Sequence, residues 1–271
     1  MNPAAWRSAG RAAARSAGNA AITLVIVLLA WQAVVSFTGI SPYVAKGPVQ
    51  VWEFLVTDAD AADNRAAMAP LLSQTLADAA IGFAVGMVVA VALAILFSLS
   101  RTVEVGVMPL ALLLRSVPLV AIAPVIILIT GRGTTASVAV IGSIVVLFPA
   151  LASVLFGLSR ANRQSLDLVH VYGGGRAMAL RKVNIPGALP SLFAAARVSV
   201  PGAVTGALLA EWLSTGQGIG GMIQKFSASA RFEDLWASVA VITLLTLILY
   251  NVVQVIESAV LARMGMTASL R

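Results

Sequence analysis

The sequence of 271 residues is 59% hydrophobic and only 11% charged, with a mean hydropathy of +0.95. A water-soluble domain usually carries about 25% charged residues, so this composition excludes an ordinary soluble domain and favours a chain solvated by lipid. The absence of cysteine excludes disulfides and thiolate chemistry, and the single histidine excludes a His-pair metal site. The net charge of +7 is spread over short segments between apolar runs, which indicates membrane topology rather than a nucleic-acid-binding surface.

Six apolar runs are long enough to cross a bilayer, for which about 20 residues are needed. They cover residues 19–40, 76–99, 107–130, 136–156, 192–213 and 235–260, and Pro109, Pro118 and Pro124 interrupt the third. We therefore predict an all-α, polytopic membrane protein with six transmembrane helices. In the segment between the first two runs, Val49, Trp52 and Leu55 are spaced for a short helix along the membrane surface.

The distribution of lysine and arginine predicts the orientation of these helices. With the N-terminus inside, the outer segments hold only five of the 18 basic residues, namely Lys46, Arg65, Arg132, Lys225 and Arg231. We expect both termini in the cytoplasm of a bacterial inner membrane. The basic N-terminus before an apolar run also resembles a signal peptide, but the run is too long for one and five more spans follow, so a retained anchor is expected.

The largest inside loop, residues 157–190, contains the most informative pattern. A helical pattern at Leu166, Val169 and Tyr172 stops at the three successive glycines 173–175, a strong helix terminator. We expect a second helical stretch over residues 176–183 that ends before Pro186, with Pro190 setting the entry into the fifth span. Such a loop can present a rigid face to a soluble partner.

This loop resembles the cytoplasmic signature of permease subunits of type I ATP-binding-cassette importers, which reads E-A-A, three residues, G, nine residues and I-x-L-P. Aligned on Gly173, the chain has D-L-V at residues 167–169 and V-N-I-P at residues 183–186, so the glycine and the proline match while the first half departs from the signature. The resemblance implies that the residues coupling the chain to an ATPase are Asp167, Leu168, Val169, His170, Gly173, Gly174, Ile185 and Pro186. His170 is therefore interpreted as a contact with the partner rather than as a titrating switch.

The resemblance extends over residues 40–260. The stretches PLALLLRSVPLVAIAPVIILITGRG and GALLAEWLSTGQGIGGMI are similar to segments of this family, and together with IPGALPSLF they resemble the branch that imports nitrate, sulfonates, taurine or pyrimidine-like precursors. Candidates for the pathway or its gate are Arg115, Pro118, Glu211 and Gly218. Glu211 is the only acid in the fifth span, and an intramembrane charge indicates a functional site unless it lies at a wetted helix end. For Arg115, a gating role and simple snorkelling to the interface remain equal alternatives.

The resemblance implies the fold of a type I importer permease, arranged in five parts. These are a cytoplasmic tail (1–18), the first transmembrane helix (19–40), a periplasmic segment (41–72), a permease core (73–260) with the coupling loop 157–190, and a second cytoplasmic tail (261–271). It also implies a second permease copy, two cytoplasmic ATPase subunits and an extracytoplasmic substrate-binding protein as partners. ATP and magnesium would bind to the ATPase, because GxxxxGK[ST] is absent from this sequence, and the chain itself is expected to be no enzyme and to bind no cofactor, metal or nucleic acid.

Two other classes of membrane protein are compatible with a six-span chain. An ion-coupled secondary transporter usually buries ionisable relays and has two similar halves. Here the only acids in the spans are Asp78, Glu211 and Glu257, all near span ends, and the halves are not similar. A membrane-embedded enzyme would need paired catalytic carboxylates or a nucleophile constellation, neither of which the sequence contains.

Overall fold

The computed structural model describes residue 22, residues 24–37 and residues 39–264, apart from the side chains of residues 101, 110–112, 114 and 115. The predicted N-terminal tail, residues 1–18, lies outside the described residues, as do residues 265–271 of the predicted C-terminal tail.

Within the described part of the chain, every regular element is a helix. The α-helices are α1 (Leu24–Phe37), α2 (Pro48–Trp52), α3 (Ala61–Leu99), α4 (Arg101–Ser116), α5 (Leu119–Thr130), α6 (Thr135–Ser159), α7 (Arg163–Val171), α8 (Arg176–Ala179), α9 (Ile185–Ala210), α10 (Gly218–Ala228) and α11 (Phe232–Arg263). Three π-helical turns, Glu53–Thr57, Leu180–Asn184 and Glu211–Thr215, continue α2, α8 and α9 respectively.

Four of these helical segments are long and apolar enough to cross a bilayer: Ala61–Leu99, Thr135–Ser159, Arg176–Thr215 and Phe232–Arg263. They contain the second, fourth, fifth and sixth predicted spans. The first and third predicted spans fall on the shorter apolar helices Leu24–Phe37 and Leu119–Thr130. The all-α, polytopic membrane architecture is confirmed.

The third apolar run is not one helix. It is divided between α4 and α5, with the break at Val117 and Pro118, where Pro118 has the extended backbone (φ −59°, ψ 120°) that precedes α5. Of the three prolines in this run, only Pro118 interrupts the helix, since Pro109 lies inside α4 and Pro124 inside α5. A residue before proline is disfavoured in the helical region, which accounts for the end of α4 at Ser116.

The predicted end of the loop helix before Pro186 is wrong. The chain is helical from Arg176 to Thr215, with Pro186 in the first turn of α9 and Pro190 and Pro201 inside it. The π-helical turn Leu180–Asn184 explains this continuity, because there the backbone bonds run five residues back, with Ile185 N–H donating to Leu180 O. Pro186, which has no N–H to donate, comes directly after this turn, where the regular pattern of backbone hydrogen bonds four residues back is already interrupted. Helix α3 also differs from the predicted bounds, because it begins at Ala61, well before the apolar run that starts at residue 76.

The larger of two compact units contains residues 67–225 and the described residues from 238 onward. Residues of α3, α6 and α9 form its apolar core, and α6 packs against α9. The backbones of the three helices come close together at Gly142 of α6, because a Cβ on Gly82 or on Gly206 would lie 2.9 Å from the Gly142 Cα. Small residues let membrane helices come this close and gain dispersion contacts along their backbones.

The smaller unit contains the described residues up to Ala66 together with Phe226–Ala237. Aromatic side chains join its parts: Trp31 of α1 stacks on Trp236 with ring centroids 5.7 Å apart, and Tyr43 meets Phe232 edge to face at 5.4 Å. The Trp236 indole N–H donates to Val44 O at 2.9 Å. The expected short helix around Trp52 is present as α2 and its π-helical turn.

Candidate functional sites: an exposed helix and a buried polar junction

Helix α7 is a short helix with defined ends between α6 and α8. At its start, the Asn162 side chain accepts a hydrogen bond from Gln164 N–H at 3.0 Å, as a helix N-cap does. At its end, Gly173 N–H donates to His170 O and Gly174 N–H donates to Val169 O, which is the Schellman arrangement. Gly173 has φ +78°, the left-handed conformation that the three-glycine terminator predicts.

The outer face of α7 is apolar and open to the surroundings. Leu168, Val171 and Tyr172 are exposed to 58%, 82% and 81%. Their spacing of three and four residues places them on one side of the helix, and no residue of α7 is buried. A water-facing helix rarely presents three large apolar side chains together unless a partner covers them.

The segment after α7 fixes it to the core. Gly174 is buried, and a Cβ there would meet Val169 Cγ1 at 2.5 Å and Met178 Sδ at 2.8 Å, so the chain turns tightly between α7 and α8. Leu180 is buried in the apolar cluster of the larger unit. The Asn184 side-chain amide donates to Leu158 O, the last turn of α6, at 2.9 Å. The connection from α7 to α9 and α6 is therefore short and packed.

The predicted coupling residues occupy two places on this loop. Asp167, Leu168, Val169 and His170 lie on α7, and Gly173 and Gly174 form its end. Ile185 and Pro186 lie in the first turn of α9 instead, beyond the π-helical turn. The assignment of all eight to ATPase coupling stays a prediction.

A second site surrounds Glu211, the first residue of the π-helical turn after α9. Its side chain is completely buried. The Glu211 Oε2 atom accepts hydrogen bonds from Gly220 N–H at 2.7 Å and from Thr75 Oγ1 at 3.0 Å, and Thr75 Oγ1 in turn accepts from Ile219 N–H at 2.9 Å. Glu211 thus joins α3 to the first turn of α10, where backbone N–H groups have no partner within the helix and favour a negative charge.

Gly218 is packed directly against this carboxylate. It is buried, has φ +63°, and a Cβ added to it would overlap the Glu211 carboxyl group. The Asp78 carboxyl group also contacts that of Glu211 and accepts a hydrogen bond at Oδ1 from the Gln74 amide at 3.1 Å. Asp78 is one helical turn beyond Thr75, so both lie on the face of α3 that meets the junction.

The same π-helical turn is held from a second direction by serine hydroxyls. Ser214 Oγ lies 2.7 Å from Ser137 Oγ at the start of α6, and it accepts a hydrogen bond from Gly133 N–H at 3.0 Å. Both serines are buried. We call this set of contacts around Glu211 and Ser214 the polar junction; it connects α3, α6, α9, α10 and the turn between α5 and α6.

The structure places the four gate candidates in different parts of the chain's fold. Glu211 and Gly218 are brought together in the polar junction, whereas Pro118 is exposed at the break between α4 and α5. Arg115 lies on α4, but its side chain is outside the described residues. The predicted gating role of these residues stays a prediction. For Glu211, which is completely buried rather than at a wetted helix end, the junction contacts hold α3 against α10.

Two features of the core escape sequence reasoning. Arg197 of α9 and Glu257 of α11 form an ion pair with Nη1 and Oε2 3.2 Å apart, and the Arg197 guanidinium lies over the Tyr250 ring. Both residues are near span ends in the sequence. Their opposite charges in the fifth and sixth predicted spans are the sequence feature from which this ion pair could have been predicted. The junction partner Thr75 carries no sequence signal of its own, and although Asp78 is one of the three acids in the predicted spans, nothing in the sequence shows that it meets Glu211.

Comparison with known proteins gives consistent matches. Residues 82–266 match the family described as binding-protein-dependent transport system inner membrane component. The chain is 27% identical to the probable ABC transporter permease protein of Haemophilus influenzae, over 83% of this chain and 89% of that protein. It is 26% identical to the formylaminopyrimidine transport permease protein ThiX of Halalkalibacterium halodurans, over 88% and 92%. The taurine transport system permease protein TauC of Escherichia coli is 26% identical, over 84% and 82%.

Proposed function

The chain belongs to the family of binding-protein-dependent transport system inner membrane components and is a permease subunit of an ATP-driven importer of small solutes; on this premise we propose how its parts work. The spans form the translocation pathway and alternate between outward-open and inward-open states. A separate ATPase drives this exchange through α7. The ion-coupled transporter alternative has no support among the related proteins.

The exposed apolar face of α7 carries this proposal. Leu168, Val171 and Tyr172 fit a groove on a cytoplasmic ATPase, while the buried Leu180 and the Asn184 hydrogen bond to α6 form the stiff connection behind them. Closure of the ATPase subunits moves α7, and the continuous helix from Arg176 to Thr215 carries that movement from one end of the fifth span to the other. Asp167 and His170 lie on the same short helix and contribute polar contacts to the ATPase.

The complete transporter, in this proposal, contains two copies of this chain, two ATPase subunits and an extracytoplasmic substrate-binding protein. ATP and Mg²⁺ bind to the ATPase subunits, and the permease contributes no residue to hydrolysis. Both termini and the loop containing α7 are cytoplasmic, so the polar junction is at the extracytoplasmic ends of the spans. This placement follows from the distribution of basic residues in the loops.

The transported solute is proposed to be a small polar molecule of the nitrate, sulfonate, taurine or pyrimidine-precursor type. Support comes from the names of relatives, which include formylaminopyrimidine and taurine transport permeases. In this proposal the binding protein selects the solute, and the permease pathway admits what the binding protein delivers.

The experiment compares two glycines on either side of Gly174. Gly173→Val places a β-branched residue at φ +78°, which the left-handed region resists, so the end of α7 must rearrange. Gly175→Val is the matched control, because Gly175 has φ −84° and a Cβ there meets no atom within 4 Å. We expect Gly173→Val to reach the membrane normally but to lose most ATP-dependent uptake and ATPase co-purification, while Gly175→Val retains both. Wild-type uptake and co-purification with Gly173→Val would refute the coupling role of α7.

A further inference from the structure

Two carboxyl groups meet inside the polar junction without a cation between them. Glu211 is completely buried and Asp78 is 4% exposed. Their carboxyl groups are in contact, yet Asp78 Oδ2 and Glu211 Oε1 are buried and accept no hydrogen bond from the residues that the structure describes. The other oxygen of each group is occupied, Oδ1 by the Gln74 amide and Oε2 by Gly220 N–H and Thr75 Oγ1.

Among the described residues, the groups that hydrogen-bond to this pair or to its partners are uncharged. From α3 they are Gln74 and Thr75, and from α10 they are the backbone N–H groups of Ile219 and Gly220. The charged residues on the adjoining segments are Lys225, whose Nζ donates to Gly216 O, and Arg132, which is exposed. Among the described residues, neither Asp78 nor Glu211 takes part in an ion pair.

The surroundings compensate one negative charge but not two. The first turn of α10 directs the Gly220 N–H at Glu211 Oε2 and offers roughly half an elementary charge of opposite sign. A second carboxylate in direct contact, in a buried site, would be repelled by the first and would have no donor for its free oxygen. Two ionised carboxylates are both acceptors, so their contact becomes a hydrogen bond only when one of them carries a proton.

We infer that Asp78 and Glu211 hold one proton between them, in a hydrogen bond that joins Asp78 Oδ2 to Glu211 Oε1 and fastens α3 to the π-helical turn after α9. The pair behaves as one acid that carries one charge. In this inference the proton is a structural element of the junction. Glu257 differs, because Arg197 provides its counter-charge.

Infrared spectroscopy of the full-length protein in an ester-free detergent tests this inference, because a protonated carboxyl group has a carbonyl band that a carboxylate lacks. Labelling the Asp and Glu carboxyl carbons with ¹³C identifies the band as a side-chain acid. At neutral pH we expect a band in the wild-type protein that is lost completely in Asp78→Asn and equally in Glu211→Gln. Each amide can donate to the remaining acid, which then ionises.

The matched control is Glu257→Gln, which changes another buried acid that has a cationic partner, and we expect it to retain the band. If either junction variant fails to fold, the wild-type protein is titrated to alkaline pH, where the band must disappear together with a loss of thermal stability. The absence of the band from the wild-type protein at neutral pH, or its survival in both junction variants, would overturn the inference. Because no transport measurement is involved, this outcome is independent of the role proposed for α7.

Discussion

Gly218 makes room for the carboxyl group on which the polar junction depends. Its left-handed backbone and its contact with Glu211 are two separate requirements for glycine at one position. Gly216, two residues earlier, has almost the same backbone (φ +66°) but no atom within 4 Å of an added Cβ. The two glycines therefore separate the conformational requirement from the packing requirement.

We predict that Gly218→Ala destabilises the protein more than Gly216→Ala. Each substitution costs about 1–2 kcal/mol for placing a Cβ in the left-handed region. Gly218→Ala must also displace the Glu211 carboxyl group, which breaks its bonds to Gly220 and Thr75 and leaves buried groups unpaired at about 1–3 kcal/mol. Thermal unfolding of the purified variants in detergent measures the difference. Equal losses would show that the carboxyl group moves aside without cost.

The identity of Glu211 as a site residue is predictable from the sequence, but its partners are not. A lone acid in an apolar run stands out because its burial is costly. Thr75, which donates to Glu211, is 136 positions away along the chain, and its hydrogen bond depends on how α3 packs beside α9. Local periodicity contains no information about that packing.

At the scale of helices, the contact of α3, α6 and α9 depends on Gly142. The Cα of Gly142 is the nearest neighbour to a Cβ on Gly82 and to one on Gly206, so both flanking helices touch its backbone. The surrounding core contains other close approaches, such as Gly86 against Val146 with 2.7 Å from an added Cβ to the Val146 Cβ. No side chain can be inserted at Gly142 without separating helices.

We predict that Gly142→Ala lowers stability by about 1–3 kcal/mol, the usual effect of overpacking a well-packed core. Gly106→Ala is the control, because Gly106 also lies in a helix and an added Cβ there meets no atom within 4 Å. That control should be neutral or slightly stabilising, since alanine favours helix over glycine by up to about 1 kcal/mol. Unfolding in denaturant or by heat distinguishes the two, and a neutral Gly142→Ala would contradict the close crossing.

Prolines show where sequence reasoning about elements succeeds and fails. At Pro118 the chain breaks, in agreement with the steric restriction that proline places on Val117. At Pro186 the same rule fails, because the π-helical turn Leu180–Asn184 has already shifted the backbone bonds. A π-helical turn arises from packing, here from Leu180 in the core and Asn184 against α6, and it has no short sequence signature.

At the scale of the whole molecule, the connections that flank α6 and α9 meet in pairs, as expected when successive membrane spans alternate in direction. Gly133, between α5 and α6, donates to Ser214, after α9, so these two connections are on the same side of the larger unit. Leu158, at the end of α6, accepts from Asn184, before α9, so the connections at the other ends of α6 and α9 also meet. Two spans joined in this way run antiparallel, as the positions of the basic residues predict.

The orientation of this arrangement in the membrane is testable because the chain contains no cysteine. Single substitutions Asp58→Cys and Arg163→Cys place a thiol at two exposed positions, one in the predicted periplasmic segment and one at the start of α7. If basic loops are retained in the cytoplasm, an impermeant maleimide added to intact spheroplasts labels Asp58→Cys at once. Arg163→Cys reacts only after the membrane is permeabilised. The cysteine-free parent shows that labelling is specific, and denatured samples show that both thiols are reactive. Labelling of Arg163→Cys from outside would reverse the topology and place α7 where no ATPase can reach it.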